Sequence, residues 1–221
     1  MLIGITGTIG TGKSSVATLL GSELEAPVFS ADQLCRDQLV VGHPGYRLFV
    51  EHFGAAFLER PEGPIDRARL RRAIFADEAA RRELEAILHP LVRRELLNAG
   101  RAAGRYRCVV AEVPLLFESG WHDDFDFIVC VDAPRELVFK RVTARDAVPA
   151  DQIERIMAAQ LPAEQKRSQA DWLIINDGDR AALTAQVARL ADFLRSRFRI
   201  PQNRNTSSKR LDTPGKSTYK G

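Results

Sequence analysis

Short unbroken apolar runs alternate along this chain with longer stretches in which apolar residues recur at helical spacing. Leu2–Thr6 is such a run and reads as a buried strand. Cys108–Ala111, Phe127–Val131 and Leu173–Ile175 repeat the pattern, and continuous runs of this kind suit parallel strands covered on both faces. Pro27–Ser30 reads as a shorter strand. Val16, Leu19 and Leu20 predict a helix over Ser14–Leu24. Gln33–Val40 predicts a second helix, ended by Gly42-His43-Pro44-Gly45, and Tyr46–Phe53 resumes the helical spacing. From Arg67 to Gly100, apolar residues at 70, 74, 75, 84, 87 and 88 predict helix packed on helix. Pro90 stands where a new helix would start, since proline is tolerated at the first helical position. Helices are also expected over Arg135–Arg145, Gln152–Gln160 and Ala181–Phe198. Strands alternating with helices imply an α/β domain on a five-stranded, mainly parallel, doubly wound sheet. The helical block at about 33–105 is too long for one crossover and is expected to form its own lobe.

At 221 residues, the chain fits one core domain, about 1–200, carrying an insertion. Apolar residues make up 45% and charged residues 28%, ordinary for a soluble globular protein. No apolar run approaches the ~18 residues of a membrane span, and no signal-type segment opens the chain, so the expected location is the cytoplasm. Cys35, Cys108 and Cys130 are far apart and odd in number, and read as reduced core thiols. The net charge of +3 is misleading. Residues 201–221 hold five Lys/Arg against Asp212 alone, which leaves 27 basic and 28 acidic residues in the rest. The body is therefore near neutral, and no basic face for nucleic acid is indicated. The tail is poor in apolar residues and is expected to be disordered.

Gly7-Thr8-Ile9-Gly10-Thr11-Gly12-Lys13-Ser14 lies between the first strand and the first helix and matches the Walker A pattern. In that context the backbone N–H groups over Gly10–Ser15, through Thr11, Gly12 and Ser15, turn toward phosphate oxygens at a helix N-terminus. Lys13 should reach the β- and γ-phosphates of ATP, and Ser14 should ligate Mg²⁺. No Asn-Lys-x-Asp guanine reader and no transporter signature is present, so a small P-loop kinase remains. Such an enzyme needs an acceptor base, an acceptor lobe and a lid. Asp32 follows the second strand, at the sheet edge where active sites gather. Its carboxylate can take a hydroxyl proton, or cap the helix that follows, and both readings stand. Glu112, at the end of the third strand, can hold a metal-bound water or face solvent. Arg141 and Arg145 share one helix face, as a phosphate-binding lid pair or as a surface pair. Asn176 follows the last strand, where a loop can contact adenine.

Taken together, these residues resemble the dephospho-coenzyme A kinase family. The resemblance rests on residues 4–14, Ser30-Ala31-Asp32 with Arg36, Phe53-Gly54, Ile65-Asp66-Arg67 and Leu88-His89-Pro90. It continues through Val113-Pro114-Leu115-Leu116-Phe117-Glu118, Arg141-x-x-x-Arg145-Asp146, Gln160, and Ala170-Asp171 running to Asn176. Two positions depart from the family: Ser30 stands where aspartate is common, and Val41 where proline is usual. The resemblance implies ATP- and Mg²⁺-dependent phosphorylation of the ribose 3′-hydroxyl of dephospho-CoA. It assigns Asp32 as base and Lys13, Arg141 and Arg145 as charge stabilisers. Arg67, His89, Pro114 and Leu115 fall around the acceptor, and the lid lies at about 140–165. A monomer is expected. The rivals are another small-molecule or nucleoside monophosphate kinase, and a nucleotide-gated binding module whose basic tail grips nucleic acid.

Overall fold

Five strands and the helices between them carry every functional candidate named so far, apart from the tail. In a computed structural model, residues 1–103 and 108–200 are described; the expected disorder of 201–221 lies outside the described residues. The strands are β1 (Leu2–Thr6), β2 (Val28–Ser30), β3 (Val109–Glu112), β4 (Phe127–Asp132) and β5 (Trp172–Ile175). All pair in parallel, in the order β2-β3-β1-β4-β5. The β1–β2 connection passes over β3, and the β3–β4 connection passes over β1. That reversal places the carboxyl ends of β1 and β3 at a topological switch point, where ligands bind in open α/β sheets.

The helices are α1 (Lys13–Leu24), α2 (Ala31–Gln38), α3 (Pro44–Phe53), α4 (Arg67–Ala76), α5 (Glu78–Arg101), α6 (Arg135–Asp146), α7 (Ala150–Ala158), α8 (Ala163–Gln169) and α9 (Arg180–Phe198). Side chains alternate across a strand, so the central strands β1, β3 and β4 each feed two cores. On one face, Ile3, Ile5, Val129 and Val131 pack with Val16 and Leu20 of α1 and with Val187, Leu190 and Leu194 of α9. On the other, Leu2, Val109, Ala111 and Ile128 pack with Leu34 of α2, Val92 and Leu96 of α5, and Leu116. A third apolar cluster joins Tyr46, Phe49, Ile65, Leu70, Leu84 and Leu88 across α3, α4 and α5. A fourth joins Val138, Val142 and Ile153, with Ile9 of the loop after β1 against it.

The expected new helix at Pro90 does not occur: α5 runs unbroken through it. Proline inside a helix removes one backbone bond and crowds the preceding turn, at a cost of about 3 kcal/mol or more. Leu84, Leu88, Val92 and Leu96 recur every four residues on one face, and all are buried, so packing on both sides of Pro90 offsets that cost. The helical block is consequently tied to the sheet: α5 contributes to its own cluster with Leu84 and Leu88 and to the sheet core with Val92 and Leu96. Helix α8 is an addition to the expected set. Its sequence, Ala-Glu-Gln-Lys-Arg-Ser-Gln, has no apolar periodicity to betray it. Cys108 and Cys130 are buried free thiols, and burial raises the pKa of each, which makes them unreactive.

Candidate active site

The phosphate loop leaves β1 at Thr6 and enters α1 at Lys13. The Thr8 carbonyl accepts hydrogen bonds from Lys13 Nζ at 2.8 Å and from Thr11 Oγ1 at 2.9 Å, which closes the loop on itself. Gly10 and Gly12 have φ of 76° and 96°, in the left-handed region. A Cβ at Gly10 would sit 2.6 Å from Val142 Cγ2, and one at Gly12 would sit 2.3 Å from Asn176 Nδ2. Conformation and close approach therefore both demand glycine there. Helix α1 has no side-chain cap, and Val16 N–H, bonded to the Gly12 carbonyl, is its first internal donor. The N–H groups before it have no helical acceptor, and with the helix dipole they form an anion site.

Lys13 is only 8% exposed. Burial pushes its pKa down from 10.5 to about 8; Glu112 opposes the fall, Lys166 adds to it, Asp32 opposes it and Arg145 adds to it. Those four neighbours come from β3, α8, α2 and α6, so four separate elements converge on the lysine. Ser14 Oγ donates to Glu112 Oε1 at 2.7 Å. Glu112 thus faces the phosphate loop.

Asp32 is the second residue of α2 and is exposed. Helix α2 begins at Ala31, and its cap is Ser30, whose Oγ accepts from Gln33 N at 3.4 Å. The capping reading of Asp32 is therefore replaced by Ser30, and the Asp32 carboxylate makes no hydrogen bond among the described residues.

Arg141 and Arg145 stand on α6 as expected, and they differ in environment. Arg141 Nη2 donates to Asn176 Oδ1 at 3.4 Å, while its Nη1 is buried with no hydrogen-bond partner among the described residues. Arg145 is exposed and bidentate on Asp146, at 2.8 and 2.6 Å. Asn176 is buried, and its Nδ2 donates to the Thr11 carbonyl at 2.8 Å, so its carboxamide joins the phosphate loop to α6. His89 packs edge-on against Trp121 with centroids 5.4 Å apart. Burial lowers its pKa, with Glu85 opposing, so the ring is neutral at pH 7. Pro114 and Leu115 are half-buried in the turn after β3. Arg67 is exposed at the start of α4 and shares no hydrogen bond or ion pair with these groups among the described residues.

A phosphate-binding loop, a neighbouring pair of carboxylates and a helical arginine pair now stand in one place. A sequence profile described as dephospho-CoA kinase matches residues 1–182. The chain belongs to the dephospho-CoA kinase family. The dephospho-CoA kinase of Desulfotalea psychrophila is 40% identical over 188 residues, which are 85% of this chain and 94% of that protein. A crystal structure from Thermus thermophilus, 36% identical, superposes with a TM-score of 0.71 over 87% of this chain and 97% of that one. The dephospho-CoA kinase of Campylobacter jejuni, 23% identical, shares the fold with a TM-score of 0.65 over 89% and 98% of the two chains. As a dephospho-CoA kinase, this chain uses ATP to convert dephospho-CoA to CoA, a step of CoA biosynthesis. No helix among the described residues is long and apolar enough to cross a membrane.

Three side chains at this kinase site escaped any assigned role in the sequence. Gln160 Oε1 accepts from Ile9 N–H of the phosphate loop at 3.0 Å. Lys166, wholly buried on α8, donates to the Pro114 carbonyl at 2.9 Å and meets Glu118 Oε1 at 2.7 Å. Gln160 and Glu118 do sit in sequence blocks that the family shares. Lys166 lies in the polar helix that periodicity misses, and nothing marks it.

Proposed function

We propose that the γ-phosphoryl group passes from ATP to the ribose 3′-hydroxyl of dephospho-CoA, with Asp32 taking the hydroxyl proton. One observation carries this reading. Asp32, which makes no hydrogen bond among the described residues, acts electrostatically on the buried Lys13 of the phosphate loop, so a carboxylate stands near the anion cradle. The N–H groups over Gly10–Ser15 and the Lys13 ammonium hold the phosphates of ATP. As the 3′-oxygen bonds to the γ-phosphorus, its proton goes to Asp32, the bond to the β–γ bridging oxygen breaks, and ADP leaves. Arg141, whose buried Nη1 has no partner among the described residues, is matched to a phosphate oxygen. Arg145 exchanges Asp146 for the phosphates as the lid, about 140–165, closes and excludes water. Asn176 fixes the loop and Arg141, and contact with adenine falls to the backbone that follows it.

The region about 33–105 forms the acceptor lobe, with Arg67, His89, Pro114 and Leu115 around the substrate. Arg67 supports this, because a cation in the first turn of α4 has the wrong sign for the helix dipole and gains from an anionic ligand. The protein acts as a cytoplasmic monomer with no specific nucleic-acid partner.

Mg²⁺ fits the pair formed by Ser14 and Glu112. Both are hard oxygen donors, 2.7 Å apart beside the phosphate loop, and Mg²⁺ is commonly held by few protein oxygens together with substrate phosphates. When bound, Mg²⁺ neutralises charge on the β- and γ-phosphates. Glu112→Gln should raise the magnesium concentration needed for half-maximal rate by about tenfold or more, read from a titration at fixed ATP. An unchanged titration would remove Glu112 from the metal site.

The reaction itself is tested by supplying ATP, Mg²⁺ and dephospho-CoA and locating the new phosphate on the product by NMR. Phosphate on the ribose 3′-oxygen is expected; phosphate elsewhere overturns the proposal.

A further inference from the structure

We infer that Lys166 is a positioning residue that holds the acceptor-side turn Pro114–Glu118 in register with the phosphate loop; the inference rests on the kinase reading given above.

A lysine is almost never fully buried unless it is paired, and Lys166 has no exposed surface. Its ammonium serves two acceptors on one turn, the Pro114 carbonyl at one end and the Glu118 carboxylate at the other. Each acceptor is shared. The Pro114 carbonyl also accepts from Thr6 Oγ1 at 3.2 Å, at the last residue of β1 where the phosphate loop begins. Glu118 Oε1 also accepts from Leu161 N–H at 2.8 Å. One residue earlier, Gln160 reaches Ile9 N–H. The segment from Gln160 to Lys166 therefore grips the phosphate loop at one end and the acceptor turn at the other.

The turn between those grips presents Pro114 and Leu115 half-exposed, while Leu116 is wholly buried in the sheet core. The wall offered to the acceptor is thus short, anchored on the inside by Leu116 and at both ends by Lys166. Stability alone gives little reason for a buried ion pair here, because apolar side chains of similar volume commonly serve as well or better. An ammonium offers what they lack, a simultaneous hold on a carbonyl and a carboxylate four residues apart. Small misplacements of a substrate-bearing group cost far more in rate than in folding.

The test compares the full-length protein with Lys166→Met, Lys166→Arg, Glu118→Gln and the double variant Lys166→Met/Glu118→Gln. Steady-state constants are measured for each substrate, together with amide hydrogen exchange over 113–120. In Lys166→Met, kcat/KM for dephospho-CoA is expected to fall by about tenfold or more while KM for ATP stays within about twofold. Lys166→Arg should recover most of that loss. The double variant should be no worse than Lys166→Met, because both changes cut one link. Exchange over 113–120 should quicken in Lys166→Met and Glu118→Gln alike. The inference is overturned if kcat/KM for dephospho-CoA and exchange at the turn both stay at the unaltered level, or if the two substrates' KM values rise together. Should Lys166→Met not fold, Glu118→Gln, whose side chain is partly exposed, decides by the same readouts. If the unaltered protein leaves dephospho-CoA unphosphorylated, the kinase reading falls by itself, and exchange at the turn decides the role of Lys166.

Discussion

Asp32→Asn should cut turnover by about 10²–10⁴-fold while leaving ATP affinity within about twofold. The amide matches the carboxylate in shape and can still bond to a hydroxyl, but it cannot take the proton. The substitution is well suited to isolate chemistry. Asp32 is exposed, and the cap of α2 belongs to Ser30, so packing and the cap bond survive; the loss at the helix start is the dipole gain of a first-turn carboxylate, about 0.3–1 kcal/mol. Its attraction on Lys13 and its repulsion of a Cys35 thiolate disappear with the charge. Single-turnover rates, with ATP binding followed by calorimetry, separate the two quantities. Turnover equal to that of the unaltered enzyme would take Asp32 out of the mechanism and leave Glu112 as the nearest remaining carboxylate.

Lys13→Met should lower kcat by about 10²–10³-fold and weaken ATP binding as well, since the ammonium contacts phosphates before and during transfer. It also carries a pH signature. In the folded protein without nucleotide, Lys13 releases its proton near pH 8, whereas in the unfolded chain it keeps it to about 10.5. Between those values the unfolded chain binds more protons, so the Lys13 contribution to stability rises with pH across that window. Below about 8 the cost of burying the charge is present in full. Phosphates favour the charged form. ATP binding above pH 8 should therefore take up a proton, and affinity should fall with rising pH, approaching about tenfold per unit. Calorimetry in buffers of different ionisation heat measures that uptake. The methionine variant should show neither the uptake nor the slope.

Four strands were legible in the sequence as apolar runs, and β1, β3 and β4 are buried along nearly all their length, where no polar face is needed; β2 was readable only as the short stretch Pro27–Ser30. The phosphate loop was legible for a different reason, since glycine spacing records backbone conformation directly. Pro90 misled because a local rule about prolines lost to four buried side chains at helical spacing. Helix α8 and Lys166 were invisible. A seven-residue polar helix has no period to detect, and a lysine's burial depends on Pro114 and Glu118, about fifty positions upstream. Glu112 lay between these extremes. Its place at a strand end was readable, but its direction became clear only from the Ser14 hydroxyl across the sheet edge. Asp32 was read as a possible helix cap, and the geometry assigned the cap to Ser30 instead.

The bond from Asn176 to the Thr11 carbonyl joins residues 165 positions apart. Chains fold as they emerge from the ribosome, amino end first, so the glycine loop is made well before its brace. A growing polypeptide that stops short of residue 176 carries the nucleotide motif without the brace on the Thr11 carbonyl, and its Arg141 lacks the carboxamide oxygen it bonds in the finished fold. Competence to handle ATP should therefore await the synthesis of residue 176, and a fragment that stops before it should be idle rather than a wasteful consumer of nucleotide.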